Sequence, residues 1–261
     1  MSLFTTLLEA RKTTGLSYIG EINHSSKHAK AYHYNELVYT IYLSPADKSG
    51  YEICPGRSKE CTELCLNESG YNRIDGTTRK DGTNNKINNS RIKKTQMFFE
   101  NHEFFMGWVI HEIESGVRRA RKNGYRFSVR LNNTSDISPE MFSYTNPDNG
   151  KRSNLLQLFP DVQFYDYTKV PGRVELMKKY SNYDVTYSFD GYNLERCLAM
   201  LANGVRVAMV FQNVPESYLG YPVINGDKYD MRYLDPKDCI VGLKFKKVRT
   251  KLTNNYKFVI K

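Results

Sequence analysis

The chain has 261 residues, 40% of them hydrophobic and 13% aromatic, and carries a net charge of +10. That is enough apolar material for one sizeable core, which excludes wholesale disorder. Every apolar run breaks within about ten positions, against the roughly 18 that a membrane span requires, and "MSLFTTLLEARKTTG" lacks both a basic n-region and a small-residue cleavage site; the expectation is a soluble, cytoplasmic protein with no membrane partner.

Residues 1–36 read as an N-terminal extension, in which "SLFTTLLEA" suits a short amphipathic helix and "NHSSKHAKAYH" a polar connection. His24, His28 and His33 lie there, and in so polar a stretch they are expected to be exposed or hydrogen-bonded imidazoles without metal. The first strand is "LVYTIYL", Leu37 to Leu43, stopped by "SPADKSG", and a cysteine-bearing loop over 53–70 follows. A helical stripe of Ile92, Phe99, Met106, Ile110, Ile113 and Val117 runs from near Ser90 to Lys122 with a break at Asn101, and Asn123–Gly124 stops it.

Beyond the helix the alternation is regular. "YRFSVRL" is a strand, "PEMFSYT" and "SNLLQLF" short helical pieces, "VQFYDY" a strand, "GRVELMKKYS" a helix, "YDVTYSF" a strand and "YNLERCLAMLANG" a helix. "VRVAMVFQ" is the next strand, a loop containing "VINGDKYDMRYLDP" leads to the strand "CIVGLKF", and "YKFVIK" adds a final edge strand. Strands near 37, 126, 162, 184, 206 and 239, each followed by enough chain to return along the outside, predict a parallel sheet. The expected architecture is a six-unit parallel (β/α) partial barrel over 37–261, with an open doubly wound sheet as the alternative.

Both folds gather ligands at the carboxyl ends of the strands. Polar residues collect there: Ser44 and Asp47, "NNTSD" at 132–136, "DYTK" at 166–169, Ser188 and Asp190, Gln212 and Asn213, Lys244 and Lys246. Asp136, Asp166 and Lys169 are the candidate catalytic residues, since carboxylates and an amine facing one cavity tune each other's acidity. Asn132, Ser135, Asp190 and Lys244 are the candidate cofactor-binding residues. Each has a structural alternative; Asp136 suits a cap before Pro139, and Asp190 one before "YNLERC".

Cys54, Cys61 and Cys65 follow a C-x6-C-x3-C spacing in the loop after the first strand, while Cys197 and Cys239 fall on apolar elements and read as buried thiols. In a reducing compartment, clustered cysteines point to metal or catalysis before disulfides. Three thiolates with one open position suit a [4Fe-4S] cluster with a free iron, or a zinc ion with an exchangeable water; unligated loop thiols are the remaining alternative. The positive charge, densest at Lys86 to Lys94, Arg118 to Lys122 and Lys244 to Lys251, favours nucleic acid or a phosphorylated small molecule as partner, against a merely solvated basic surface.

"LSPADKSGYEICPGRSKECTELCLNESG", "VRLNNTSDIS", "FPDVQFYDYTK" and "INGDKYDMRYLDP" together resemble a family of bacteriophage proteins related to gene product 88, over roughly residues 37–245. The resemblance implies phage origin and supplies no reaction. More loosely, the chain is similar to radical S-adenosylmethionine enzymes, which share a six-unit partial barrel with three cluster-binding cysteines after the first strand. That likeness implies that Cys54, Cys61 and Cys65 hold a cluster whose free iron binds S-adenosylmethionine, with an external electron donor. The spacing here is longer than the usual C-x3-C-x2-C, and "NNTSD" stands where a glycine-glycine-glutamate segment is usual. The leading expectation is thus a phage-encoded iron-sulfur enzyme; the alternative is a zinc-stabilised basic protein that binds nucleic acid without catalysis, its tyrosines stacking on bases.

Overall fold

The computed structural model describes residues 6–65, 86–246 and 256–261. Gly70 and the glycine- and asparagine-rich segment after it lie outside the described residues, as does Lys251.

A largely parallel sheet of ten strands organises the chain, in the order β1-β2-β3-β6-β7-β8-β11-β10-β9, with β12 beside β8. The strands are β1 (Gly20–Ile22), β2 (Glu36–Ile41), β3 (Arg126–Arg130), β6 (Gln163–Thr168), β7 (Tyr183–Ser188), β8 (Val207–Phe211), β9 (Ser217–Tyr218), β10 (Tyr221–Asn225), β11 (Ile240–Lys244) and β12 (Val259–Ile260). β4 (Ser143–Thr145) and β5 (Arg152–Asn154) form a separate hairpin. All six expected strands are present, parallel, and neighbours in chain order: β2, β3, β6, β7, β8, β11. β1 and β9 close the two edges in antiparallel fashion.

The helices are α1 (Leu7–Thr14), α2 (Lys59–Glu63), α3 (Lys86–Glu100), α4 (His102–Asn123), α5 (Leu155–Leu158), α6 (Pro171–Lys179) and α7 (Leu194–Ala202). The long helical stripe does break at Asn101, and Gly124 ends α4 in the left-handed conformation (φ 68°) that a side chain resists. Period-2 alternation gives the sheet two different faces. Tyr39, Ile41, Val129, Phe164, Val185, Val207, Met209 and Phe211 join Phe105, Trp108, Val109 and Ile113 of α4, Val174 of α6 and Leu201 of α7 in the main core. On the other face Val38 and Tyr165 pack with Ala31 and Met231 under a 3-10 helix (His28–Tyr34) and the segment after β10. This second face is polar: Thr40, Ser128, Asp184, Thr186 and Arg206 point away from the helices.

Four elements differ from the sequence expectation. "PEMFSYT" makes one 3-10 turn (Pro139–Met141) and then β4, because Ser-Tyr-Thr pairs with Arg152–Asn154 across a tight Asn146–Gly150 turn, where Asn146 Oδ1 accepts the Asp148 N–H at 2.8 Å and Gly150 has φ 67°. "SNLLQLF" is correspondingly half strand, and only Leu155–Leu158 is helical, started by an Asn154–Gln157 capping box. The "VINGDKYDMRYLDP" loop begins with β10, whose hairpin to β9 turns at Leu219 and Gly220, both at positive φ as a primed turn requires. "YKFVIK" does not form an edge strand. β7 pairs with β8 through Tyr187↔Val207 and Ser188↔Ala208 only, and beyond that point β12 takes its place with Val259↔Val210 and Ile260↔Phe211.

Residues 20–34, read as part of an extension, supply the edge strand β1 and the 3-10 helix over the polar face.

Candidate functional site

The cysteine loop is fastened to three strand ends. At β3, the Asp136 N–H donates to the Ile53 carbonyl (2.8 Å) and the Cys54 thiol approaches the Thr134 carbonyl (3.8 Å). At β6, Gly56 packs so closely that a Cβ would stand 2.9 Å from the Lys169 carbonyl carbon. At β7, the Ser58 hydroxyl donates to the Asp190 carbonyl (2.7 Å) while accepting the Cys61 N–H (3.1 Å), so one side chain both caps α2 and anchors it.

Cys61 and Cys65 lie within electrostatic reach of Cys54 there. Burial pushes the Cys54 thiol up to about 12, with Cys65, Asp136 and Cys61 adding to the shift and the Ala46 N–H, 3.4 Å from its sulfur, opposing it. The Lys169 ammonium lies within electrostatic reach of Cys61 and Cys54. Its burial disfavours the charge, but Cys61, Asp136 and Cys54 outweigh that and raise its pKa. Cys65 also acts on Arg91, whose guanidinium lies 5.1 Å from the Tyr42 ring centre. Among the described residues, no group of three or more His, Cys, Asp or Glu side chains is drawn together as one metal ion requires. Cys197 and Cys239 are buried, as expected.

The two carboxylates lie deeper. Asp166 accepts from the Asn132 N–H and Nδ2 (both 2.9 Å) and from Arg173 (2.7 Å), and burial raises its pKa despite these partners. Asp136 accepts from the Thr168 hydroxyl (2.7 Å), the Lys169 N–H (2.8 Å) and Arg173. Asn132 Oδ1 accepts from Ser135 (2.7 Å) and the Ile137 N–H (2.9 Å). Asp136, Asp166, Asn132 and Ser135 therefore form one network around Arg173, which holds the β3 and β6 ends beneath the cysteines. Asp190 accepts from the Tyr192 and Asn193 N–H groups (2.8 and 3.0 Å), the turn before α7 that the sequence allowed. Lys244 stands apart, in a pocket of about 320 Å³ lined also by Ser26, Lys27, Lys30, Asp227 and Lys246.

Sequence reasoning missed a charged cluster on the polar face. Asp230, fully buried, meets Lys27 (2.8 Å), His28 (2.9 Å), Arg130 (2.8 Å) and the Tyr165 hydroxyl (3.1 Å). Burial works against its charge, yet Arg130, Lys27 and His28 hold Asp230 well below the ordinary carboxylate range. The His28–Asp230 pair spans 202 positions, and no local pattern announces it.

Fold and site define a mixed α/β protein on a largely parallel sheet, with a three-cysteine loop over the carboxyl ends of its strands. The Gene product 88 family profile matches residues 9–260, and the chain belongs to that family. No curated protein and no solved structure matches it significantly. Among the described residues, no helix is long and apolar enough to cross a membrane.

Proposed function

We propose that this chain is a phage-encoded, cytoplasmic iron-sulfur enzyme on a six-unit, radical-SAM-like partial barrel. The observation that carries the reading is the fastening of the cysteine loop to the β3, β6 and β7 ends, with Cys61 and Cys54 close enough to the Lys169 ammonium to raise its pKa. Two features support a curled sheet. Six parallel strands follow in chain order, whereas a doubly wound sheet reverses direction. The Lys30 ammonium, ahead of β2, also reaches the Asp227 carbonyl, after β10, at 2.8 Å, so segments next to opposite sides of the sheet meet over its polar face.

Three cysteine thiols are the soft donors that a [4Fe-4S] cluster takes, one to each of three irons. Cys54, Cys61 and Cys65 would hold the cluster, which supplies a one-electron reductant with an open iron for S-adenosylmethionine. Lys169 offsets thiolate charge at Cys61, and the Arg173 network fixes the strand ends from which the loop hangs. A nucleotide or another phosphorylated substrate would face the cluster from the polar side of the sheet, and an external donor would deliver the electron.

Anaerobic reconstitution of the full chain with iron and sulfide tests this. About four irons per chain and a brown chromophore are expected, with Cys61→Ala losing both while its far-ultraviolet circular dichroism is unchanged. A colourless protein with one zinc, binding oligonucleotides in a salt-dependent way, would instead support the non-catalytic reading, which the lysines around the Lys244 pocket favour.

A further inference from the structure

Around Asp230 the polar face holds more cation than it neutralises. Lys27 and Arg130 share this one carboxylate, while Arg206 pairs with Asp184 and Arg232 with Asp235. The surplus centres on Tyr167. Arg130 lies 4.7 Å and Lys27 5.8 Å from its ring centre. Among the described residues its buried hydroxyl oxygen has no hydrogen-bond partner, and neither has Arg130 Nε. Thr186, which is 0% exposed, stands opposite Tyr167 in the β6–β7 register, and its hydroxyl is likewise unpartnered among the described residues.

Buried hydroxyls and guanidinium groups left unpaired cost stability, so such a group of them needs an acceptor. Each of these three offers a proton. An oxyanion supplies several acceptor oxygens at once and neutralises the surplus charge. Lys27 also lines the pocket that contains Lys30, Lys244 and Lys246, whose positive charge attracts anions to its side of the group.

We propose that Arg130, Lys27, Tyr167 and Thr186 form a binding site for the phosphoryl group of a small phosphate monoester on the polar face of the sheet. This deepens the enzyme reading by naming its substrate class, yet the site uses no cysteine and exists without the cluster.

The test is calorimetric titration of the metal-free full chain with inorganic phosphate, adenosine monophosphate and glucose 6-phosphate. Binding of phosphate is expected, with tighter binding of one monoester telling a nucleotide from a sugar phosphate. Tyr167→Phe and Thr186→Val each delete one oxygen and keep the packing, and each should weaken binding by about tenfold, the usual effect of losing a hydrogen bond to a charged group. No binding of any of the three, or equal binding by wild type and both variants, overturns the site. Iron content is read separately, so a chain that binds phosphate but no cluster refutes the enzyme proposal alone.

Discussion

At the carboxyl end of β6 the buried Lys169 ammonium lies within electrostatic reach of Cys61, and Cys61, Asp136 and Cys54 together raise its pKa against the cost of burial. Lys169→Met should reduce iron retention, whereas Lys169→Arg, which keeps the charge, should preserve much of it. Iron per chain after anaerobic desalting measures this; equal iron in wild type and the Met variant would deny the lysine a role at the cysteine loop.

Cys54 behaves differently. With its thiol pushed up to about 12 by burial, it is protonated at neutral pH in the metal-free protein. Any thiolate-binding metal must displace that proton, so uptake should strengthen as the solution becomes mildly alkaline and should release acid measurably in weak buffer. In the folded apoprotein Cys54 should be the last of the three loop thiols to react with iodoacetamide.

Gly56 sets the distance between the loop and β6. A valine there would drive its Cβ against the Lys169 backbone, 2.9 Å away. Gly56→Val should cost about 1–3 kcal/mol in chemical denaturation and should lower iron retention more than Gly172→Ala, since among the described residues nothing stands within 4 Å of a Cβ at Gly172.

Lys94 is buried, its ammonium 4.5 Å from the Tyr18 ring centre, and burial lowers its pKa from 10.5 to about 8. Below pH 8 the ammonium is charged in both the folded and the unfolded chain, and burying it costs roughly 3 kcal/mol at about 1.36 kcal/mol per pKa unit. Between about 8 and 10.5 the unfolded chain binds more protons than the folded one, so stability gains with rising pH from this group. Lys94→Met should therefore be more stable than wild type at neutral pH, with the gap closing towards pH 10.5. Urea denaturation across that range measures it; a constant gap would mean that folding leaves the proton affinity of the lysine unchanged.

The parallel strands were legible because Val, Ile, Tyr and Phe concentrate in β2, β3, β6, β7, β8 and β11, and glycine and asparagine punctuate the gaps. The nearness of Cys54 and Cys61 to Lys169 followed from the rule that loops at the carboxyl ends share one side of a parallel sheet. Other features had no local trace. β12 is placed by a partner nearly fifty residues earlier, Val210 for Val259. Asp230 lies in a stretch whose turn residues concealed both a strand and a charge centre, and its partners Lys27, His28 and Arg130 become neighbours only when opposite sides of the sheet approach. Asp166 showed the reverse ambiguity, since a strand-end carboxylate reads alike whether it faces a cavity or, as here, Asn132 and Arg173.

The helix bearing Cys61 is also held from far along the chain. Buried Glu60 accepts the Lys257 and Phe258 N–H groups at 2.8 and 2.7 Å, across as many as 198 positions. Contacts of such separation form late, because so long a loop must close before they can reward it. During refolding the thiols should thus stay open to solvent and oxidant until nearly everything else is assembled, and β12 acts as the latch that ends this vulnerable interval.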